Sequence, residues 1–157
     1  MLQKKICLLG SFAVGKTSLI SRFVRSKFSD KYLTTIGVKV DRKEVNLPNG
    51  SVNLLIWDIH GEDEFQKVRS SYLRGMSGYF LVVDPTRPET FDTALYLHQL
   101  AENEEPQTPF CLLLNKCDLL DEWCLESERI DEAKRDGWSI LKTSAKTGEH
   151  VDRKSTL

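Results

Sequence analysis

Apolar positions along this chain switch between two rhythms. The stretch Lys4-Lys-Ile-Cys-Leu-Leu9 closes in an unbroken apolar run, which predicts a strand buried on both faces over 4–9. Over 16–25 the spacing becomes helical, with Leu19, Ile20 and Phe23 on one side. A polar loop runs to Gly37. Strands near 38–47 and 51–58 are then joined by Pro48-Asn49-Gly50, a hairpin signal that puts Val40 and Trp57 on neighbouring strands. A short helix is expected near 66–74. The run Tyr79-Phe-Leu-Val-Val-Asp84 predicts a strand over 79–84, which leads through Pro85 and Pro88 into a helix near 89–103. A strand over 110–115 follows, then a helix near 126–136 that stops at Gly137, a candidate C-cap, and a last strand over 138–143. Strands alternating with helical crossovers give the α/β class: a six-stranded, mostly parallel sheet with one antiparallel edge strand and helices on both faces. Ligands of such sheets bind at the carboxyl ends of the strands.

Composition narrows the partners. The chain has 157 residues, enough for one core, with 40% hydrophobic and 29% charged residues, ordinary for a globular domain. The formal net charge of −1 supplies no global basic field for nucleic acid or an acidic membrane. No apolar run is long enough for a membrane span. The first strand starts so early that no signal or transit peptide is expected. Of the cysteines, Cys7 and Cys111 fall in core strands, and Cys117 and Cys124 show no metal-ligand spacing, so a reducing, cytoplasmic setting is expected.

Chemistry enters at the strand ends. Gly10-Ser-Phe-Ala-Val-Gly15-Lys16-Thr17 fits G-x-x-x-x-G-K-[ST] and lies between the first strand and the first helix. That order lets backbone N–H groups through Ala13, Val14 and Gly15, and those opening the helix at Lys16, Thr17 and Ser18, surround phosphate oxygens where the helix dipole is positive. Gly10 and Gly15 permit a backbone approach that a Cβ obstructs. Lys16 reaches the β- and γ-phosphates, and the Thr17 hydroxyl is placed to ligate Mg²⁺.

The base is read elsewhere. Phe110-Cys-Leu-Leu-Leu-Asn115-Lys116-Cys117-Asp118 ends an apolar strand in Asn-Lys-x-Asp. The Asp118 carboxylate can accept from guanine N1–H and its exocyclic amine, a donor pair that adenine lacks. Thr35, in Tyr32-Leu-Thr-Thr35-Ile-Gly37, is a second candidate Mg²⁺ ligand. Asp58, in Leu54-Leu-Ile-Trp57-Asp58-Ile-His-Gly61, suits the role of holding Mg²⁺ through water, and the Gly61 N–H suits the γ-phosphate. Ser144, Ala145 and Lys146 follow the last strand, where the Ala145 N–H can meet guanine O6.

These five motifs, in this order, resemble the small GTPases of the Ras superfamily over about residues 3–150. The Rab-like branch is the nearest. Its Trp-Asp-x-x-Gly is matched by Trp57 through Gly61, and its Tyr-Tyr-Arg-Gly is echoed by Ser71-Tyr72-Leu73-Arg74-Gly75. Its Ile-Gly-Val-Asp-Phe is echoed by Ile36-Gly37-Val38-Lys39-Val40. The resemblance implies a P-loop G domain over 1–151 with a short polar tail at 152–157, GTP and GDP as ligands, and Mg²⁺ as cofactor. It also implies that Phe28 stacks near guanine and Lys116 packs along it. Residues near 30–38 and 60–75 become nucleotide-sensing switches that meet effectors, exchange factors and GTPase-activating proteins.

The chain departs from the family at several positions. The family's Asp-Thr-Ala-Gly-Gln-Glu reads Asp58-Ile59-His60-Gly61-Glu62-Asp63 here. Glu62 stands where a glutamine orients the attacking water. A carboxylate has no donor for the γ-phosphate and adds negative charge beside it, or acts as a weak base, or is a tolerated loop residue. His60 either touches the γ-phosphate region or faces solvent. Phe12 crowds the same region, lies as a lid on the second switch, or both. The catalytic set is therefore Lys16, Thr35, Gly61 and Glu62. After Val151 the family continues into a long amphipathic helix and many members end in a prenylated cysteine. Here the sequence runs Asp152-Arg-Lys-Ser-Thr-Leu157, so no prenyl anchor is expected, and a shortened chain, an excised domain, or a sheet face covered by another copy or domain all fit.

Two functions follow. One is a GTP-binding switch with slow intrinsic hydrolysis. The other is a hydrolysis-deficient GTP-binding interaction module, favoured by Phe12, His60 and Glu62. Asn115, Lys116 and Asp118 speak against an ATP-using or purely structural P-loop protein.

Overall fold

A computed structural model describes residues 2–11, 13–25, 38–59, 70–116, 127–148 and 151. The strands are β1 (Leu2–Gly10), β2 (Val38–Leu47), β3 (Gly50–Ile59), β4 (Gly78–Val83), β5 (Phe110–Leu114) and β6 (Ile140–Lys142). The helices are α1 (Lys16–Arg25), α2 (Glu89–Glu104) and α3 (Ser127–Arg135), with a 3-10 turn at Ser70–Leu73. The sheet order is β2-β3-β1-β4-β5-β6. Among the described residues, only the hairpin pair β2 and β3 is antiparallel.

The apolar runs of β1, β4 and β5 are continuous because both faces of these strands are covered. On one face Cys7, Leu9, Tyr79, Leu81, Val83, Leu112 and Leu114 pack with Phe91, Ala94, Leu97 and Ala101 of α2 and Ala133 of α3. On the other, Leu8, Ile56, Val82, Cys111 and Leu113 pack with Leu19 and Ile20 of α1. Half-buried Leu54, Phe80 and Leu141 border that second cluster. Burial pushes the Cys7 thiol up to about 12 and the Cys111 thiol up to about 11, so both are inert core thiols.

Element ends move where side chains or turns capture the backbone. The hairpin closes with Leu47 opposite Gly50 across Pro48-Asn49, and Val40 lies opposite Trp57. The strand expected over 79–84 stops at Val83 because the Asp84 N–H donates to Thr90 Oγ1 (3.0 Å). The strand expected over 138–143 shortens to Ile140–Lys142. Trp138 is part of a helix stop instead: its N–H donates to Ala133 O (3.1 Å), the Gly137 N–H donates to Lys134 O (3.0 Å), and Gly137 takes φ +86°. Of the helix expected near 66–74, the 3-10 turn at Ser70–Leu73 is seen, and 60–69 lie outside the described residues.

Connections leave β1 toward β3 on one side and leave β4 toward β5 on the other. The crevice between the carboxyl ends of β1 and β4 is therefore the topological switch point.

Candidate nucleotide-binding site

The loop that leaves β1 occupies this crevice. A Cβ on Gly10 would lie 2.6 Å from Val82 O, so the strand end packs on β4 only as glycine. Gly15 is constrained twice. It holds φ +101°, and a Cβ there would lie 2.3 Å from Asn115 Nδ2. Ala13 is also left-handed, at φ 62°. The loop then feeds α1, whose first turn carries no acidic residue. Its positive dipole end is left for an anion.

Lys16 points back across its own loop. Its Nζ donates to Gly10 O (3.2 Å) and Ser11 O (3.0 Å), and the residue is only 6% exposed. Burial lowers its pKa to about 8; Asp58 opposes that shift and Arg87 adds to it. Thr17 Oγ1 donates to Asp58 Oδ2. Asp58 is brought there by β3, in register with Leu8 of β1.

The loops after β5 and β6 are tied to the loop after β1. Asn115, 2% exposed, donates from Nδ2 to Val14 O (2.9 Å) and accepts on Oδ1 from Thr143 Oγ1 (3.2 Å). Lys116 follows at φ 59°, and its Nζ reaches Asp84 Oδ2 (2.7 Å) and Ala13 O (3.5 Å). Ser144 is buried and closes the last loop: its Oγ accepts from the Thr147 N–H (3.1 Å) and its carbonyl from the Gly148 N–H (2.8 Å). Ala145 is buried and Lys146 exposed. Arg22 of α1 donates to Thr147 O (3.1 Å), and its guanidinium fills the space where a Cβ on Gly148 would lie.

The structure thus gathers Gly10, Ala13, Val14, Gly15, Lys16, Thr17, Ser18, Asp58, Asn115, Lys116, Ser144, Ala145 and Lys146 at one end of the sheet. Phe12, Phe28, Thr35, His60, Gly61, Glu62 and Asp118 lie outside the described residues. Asp84 and Arg22 are participants that sequence reading passed over, and Thr143, the first residue of the Thr143-Ser144-Ala145-Lys146 segment, gains a role as the donor to Asn115. The signal for Asp84 was present: like Asp58, it follows an apolar strand at its carboxyl end.

The residues present fit a nucleoside triphosphate with a hard divalent cation. A buried ammonium is held by two backbone carbonyls of its own loop, with no carboxylate in ion-pair contact among the described residues. Beside it, a hydroxyl and a carboxylate form the oxygen donor set that Mg²⁺ takes.

The comparisons agree with this geometry. Residues 5–155 match the Ras family. The Ras-related protein Rab-10 of Caenorhabditis elegans is 35% identical over 150 residues, covering 94% of this chain and 75% of the relative. The Ras-related protein RABA4d of Arabidopsis thaliana is 36% identical over the same share of this chain and 68% of its own. The Ras-related protein Rab-13 of Bos taurus is 33% identical, with 74% of its length covered. The chain belongs to the Ras family. Within it, this protein is a Rab-like small GTPase, and Ras-family GTPases bind guanine nucleotide, generally with Mg²⁺. Among the described residues no helix is long and apolar enough to cross a membrane.

A pH signature follows from Lys16. Its folded pKa lies below its ordinary value of 10.5, so between about 8 and 10.5 the nucleotide-free fold binds fewer protons than the unfolded chain. A bound phosphate restores the charged ammonium. Guanine-nucleotide binding at pH 9 is therefore expected to take up close to one proton, with affinity falling as pH rises through about 8. Calorimetry in buffers of different ionisation enthalpy measures the uptake. No difference between pH 7 and pH 9 would contradict the assignment.

Proposed function

We propose that this protein is a Mg²⁺-dependent guanine-nucleotide switch of the Rab-like type, acting in signalling or trafficking and hydrolysing GTP slowly. The observation that carries the reading is Lys16, a buried cation enclosed by a phosphate loop that Asn115 ties to the base-reading strand. In this reading Lys16 and the N-terminus of α1 neutralise the β- and γ-phosphates. Thr17 and Asp58, with Thr35, hold Mg²⁺, which offsets charge on the phosphate oxygens when bound. Asp118, Lys116, Phe28 and Ala145 read guanine. The switches near 30–38 and 60–75 order with GTP and loosen with GDP, and so select effectors, exchange factors and GTPase-activating proteins. The G domain spans 1–151 and 152–157 is a polar tail. The setting is cytoplasmic, with no nucleic acid partner. A second copy or another domain would cover the α1 face beside Leu54, Phe80 and Leu141.

Slow hydrolysis rests on Glu62 and Phe12. A carboxylate cannot both accept from water and donate to the γ-phosphate. Glu62→Gln is expected to raise the single-turnover rate of pre-loaded GTP by about tenfold or more, most clearly with Phe12→Gly. If both changes leave the rate untouched, these departures are neutral. If neither the parent nor the variants hydrolyse GTP, with or without an activating protein, the second reading stands: a GTP-binding interaction module without catalysis. The nucleotide released on denaturing the purified protein tests the guanine assignment itself.

A further inference from the structure

Asp84 is fully buried at the carboxyl end of β4, beside the phosphate loop at the switch point of the sheet. Its two carboxylate oxygens face different tasks. Oδ1 accepts from the Thr86 N–H (3.0 Å) and Thr86 Oγ1 (2.6 Å), which shapes the turn into α2. The backbone fixes that turn as well. The Asp84 carbonyl accepts from the Arg87 N–H (2.9 Å) and Thr90 Oγ1 (3.0 Å). Oδ2 looks the other way, accepting from Lys116 Nζ (2.7 Å) and Arg87 Nε (3.2 Å). Burial works to raise the Asp84 carboxyl, and the hydrogen bonds from Lys116 and Thr86 overcome it, so the group stays ionised.

The partner it grips is unusual. Lys116 and Ala13 are both left-handed without being glycine, at φ 59° and 62°. L side chains disfavour that conformation unless the surroundings over-determine it. The Lys116 ammonium spans the two, touching Ala13 O on one side and Asp84 on the other. Lys116 opens the segment that leads to Asp118. We infer that Asp84 is a positioning residue for nucleotide retention: its carboxylate holds Lys116, and with it the start of the guanine-reading segment, in place before a nucleotide arrives. The inference rests on the guanine-nucleotide reading above. Asp84 need not touch the nucleotide; it acts through Lys116.

The test is a double-mutant cycle on release of N-methylanthraniloyl-GDP from the whole chain. Asp84→Asn keeps Oδ1 as the acceptor for Thr86 and turns an amide against Lys116 and Arg87, donor against donor. It is expected to speed release by about tenfold. Lys116→Met is expected to do about the same. The double variant is expected to release no faster than Lys116→Met alone, because the interaction is already gone. Equal acceleration by Asp84→Asn in both backgrounds would overturn the inference, since Asp84 would then act only by shaping its turn. An unchanged release rate in Asp84→Asn would overturn it too. Where Asp84→Asn does not fold, the same cycle is run with Asp84→Glu, whose longer carboxylate cannot hold Thr86 and Lys116 together; the non-additivity is again the criterion. A parent chain that binds no guanine nucleotide removes the underlying reading and this inference with it. A parent that binds, with an additive cycle, removes the inference alone.

Discussion

Asp118→Asn is expected to convert this protein from a guanine binder into a xanthine binder. On the proposed reading, the carboxylate accepts two hydrogen bonds from guanine, each charge-assisted. Such bonds contribute about 1.5–3 kcal/mol, so losing the match costs roughly 3–6 kcal/mol, or about 10²–10⁴ in affinity. Asparagine keeps one acceptor but turns an N–H against the exocyclic amine. Xanthine carries a carbonyl there and satisfies that N–H, so its affinity rises as that of guanine falls. The change leaves untouched the side chain three positions earlier, because Asn115 is bonded to Val14 and Thr143 on its own account. Competition of GTP and XTP against fluorescent GDP measures the exchange of preference. Equal affinity of the parent for ATP and GTP would refute the assignment.

Lys16→Met is expected to act in opposite directions on binding and on stability. Losing the ammonium removes charge-assisted bonds to phosphate, and triphosphate affinity is expected to fall by about 100-fold or more. The nucleotide-free fold should gain. A pKa lowered from 10.5 to about 8 means that at pH 7 the buried charge costs about 3 kcal/mol. Methionine removes that cost and fills similar space. Against this, Gly10 and Ser11 carbonyls lose their donor, at about 1 kcal/mol each. The net gain is about 1 kcal/mol at pH 7. It is lost above pH 10.5, where the parent lysine is neutral in both states and the lost hydrogen bonds alone remain. Urea unfolding of the nucleotide-free proteins at the two pH values reads the sign. A variant less stable than the parent at pH 7 would show that Lys16 is not under desolvation strain.

The phosphate loop was legible because its physics is local. Two glycines, a lysine and a threonine stand at fixed spacing between an apolar run and a helical one, and Gly15 takes the left-handed backbone that such a loop demands. The strand set was legible for the same reason: each buried strand is a short apolar run. Strand ends were less so. Trp138 reads as apolar strand, but its N–H is taken by the helix stop at Ala133. Asp84 reads as the last residue of a strand, but Thr90, six positions on, captures its N–H.

By itself the sequence determined the class of sheet, the order of its motifs, the phosphate-loop pattern, and the residue types on which the proposed guanine and Mg²⁺ sites rest. It did so because hydrophobic period, glycine freedom and donor or acceptor type are properties of short segments. Only the tertiary structure decided which side chains hold the site together. Asn115 meets Val14 across 101 positions, Lys116 meets Asp84 across 32, and Arg22 meets Thr147 across 125. No local pattern encodes such pairs. They exist because the sheet carries the ends of β1, β4, β5 and β6 to one side, with α1 rising from the same edge, where a buried polar group needs a partner.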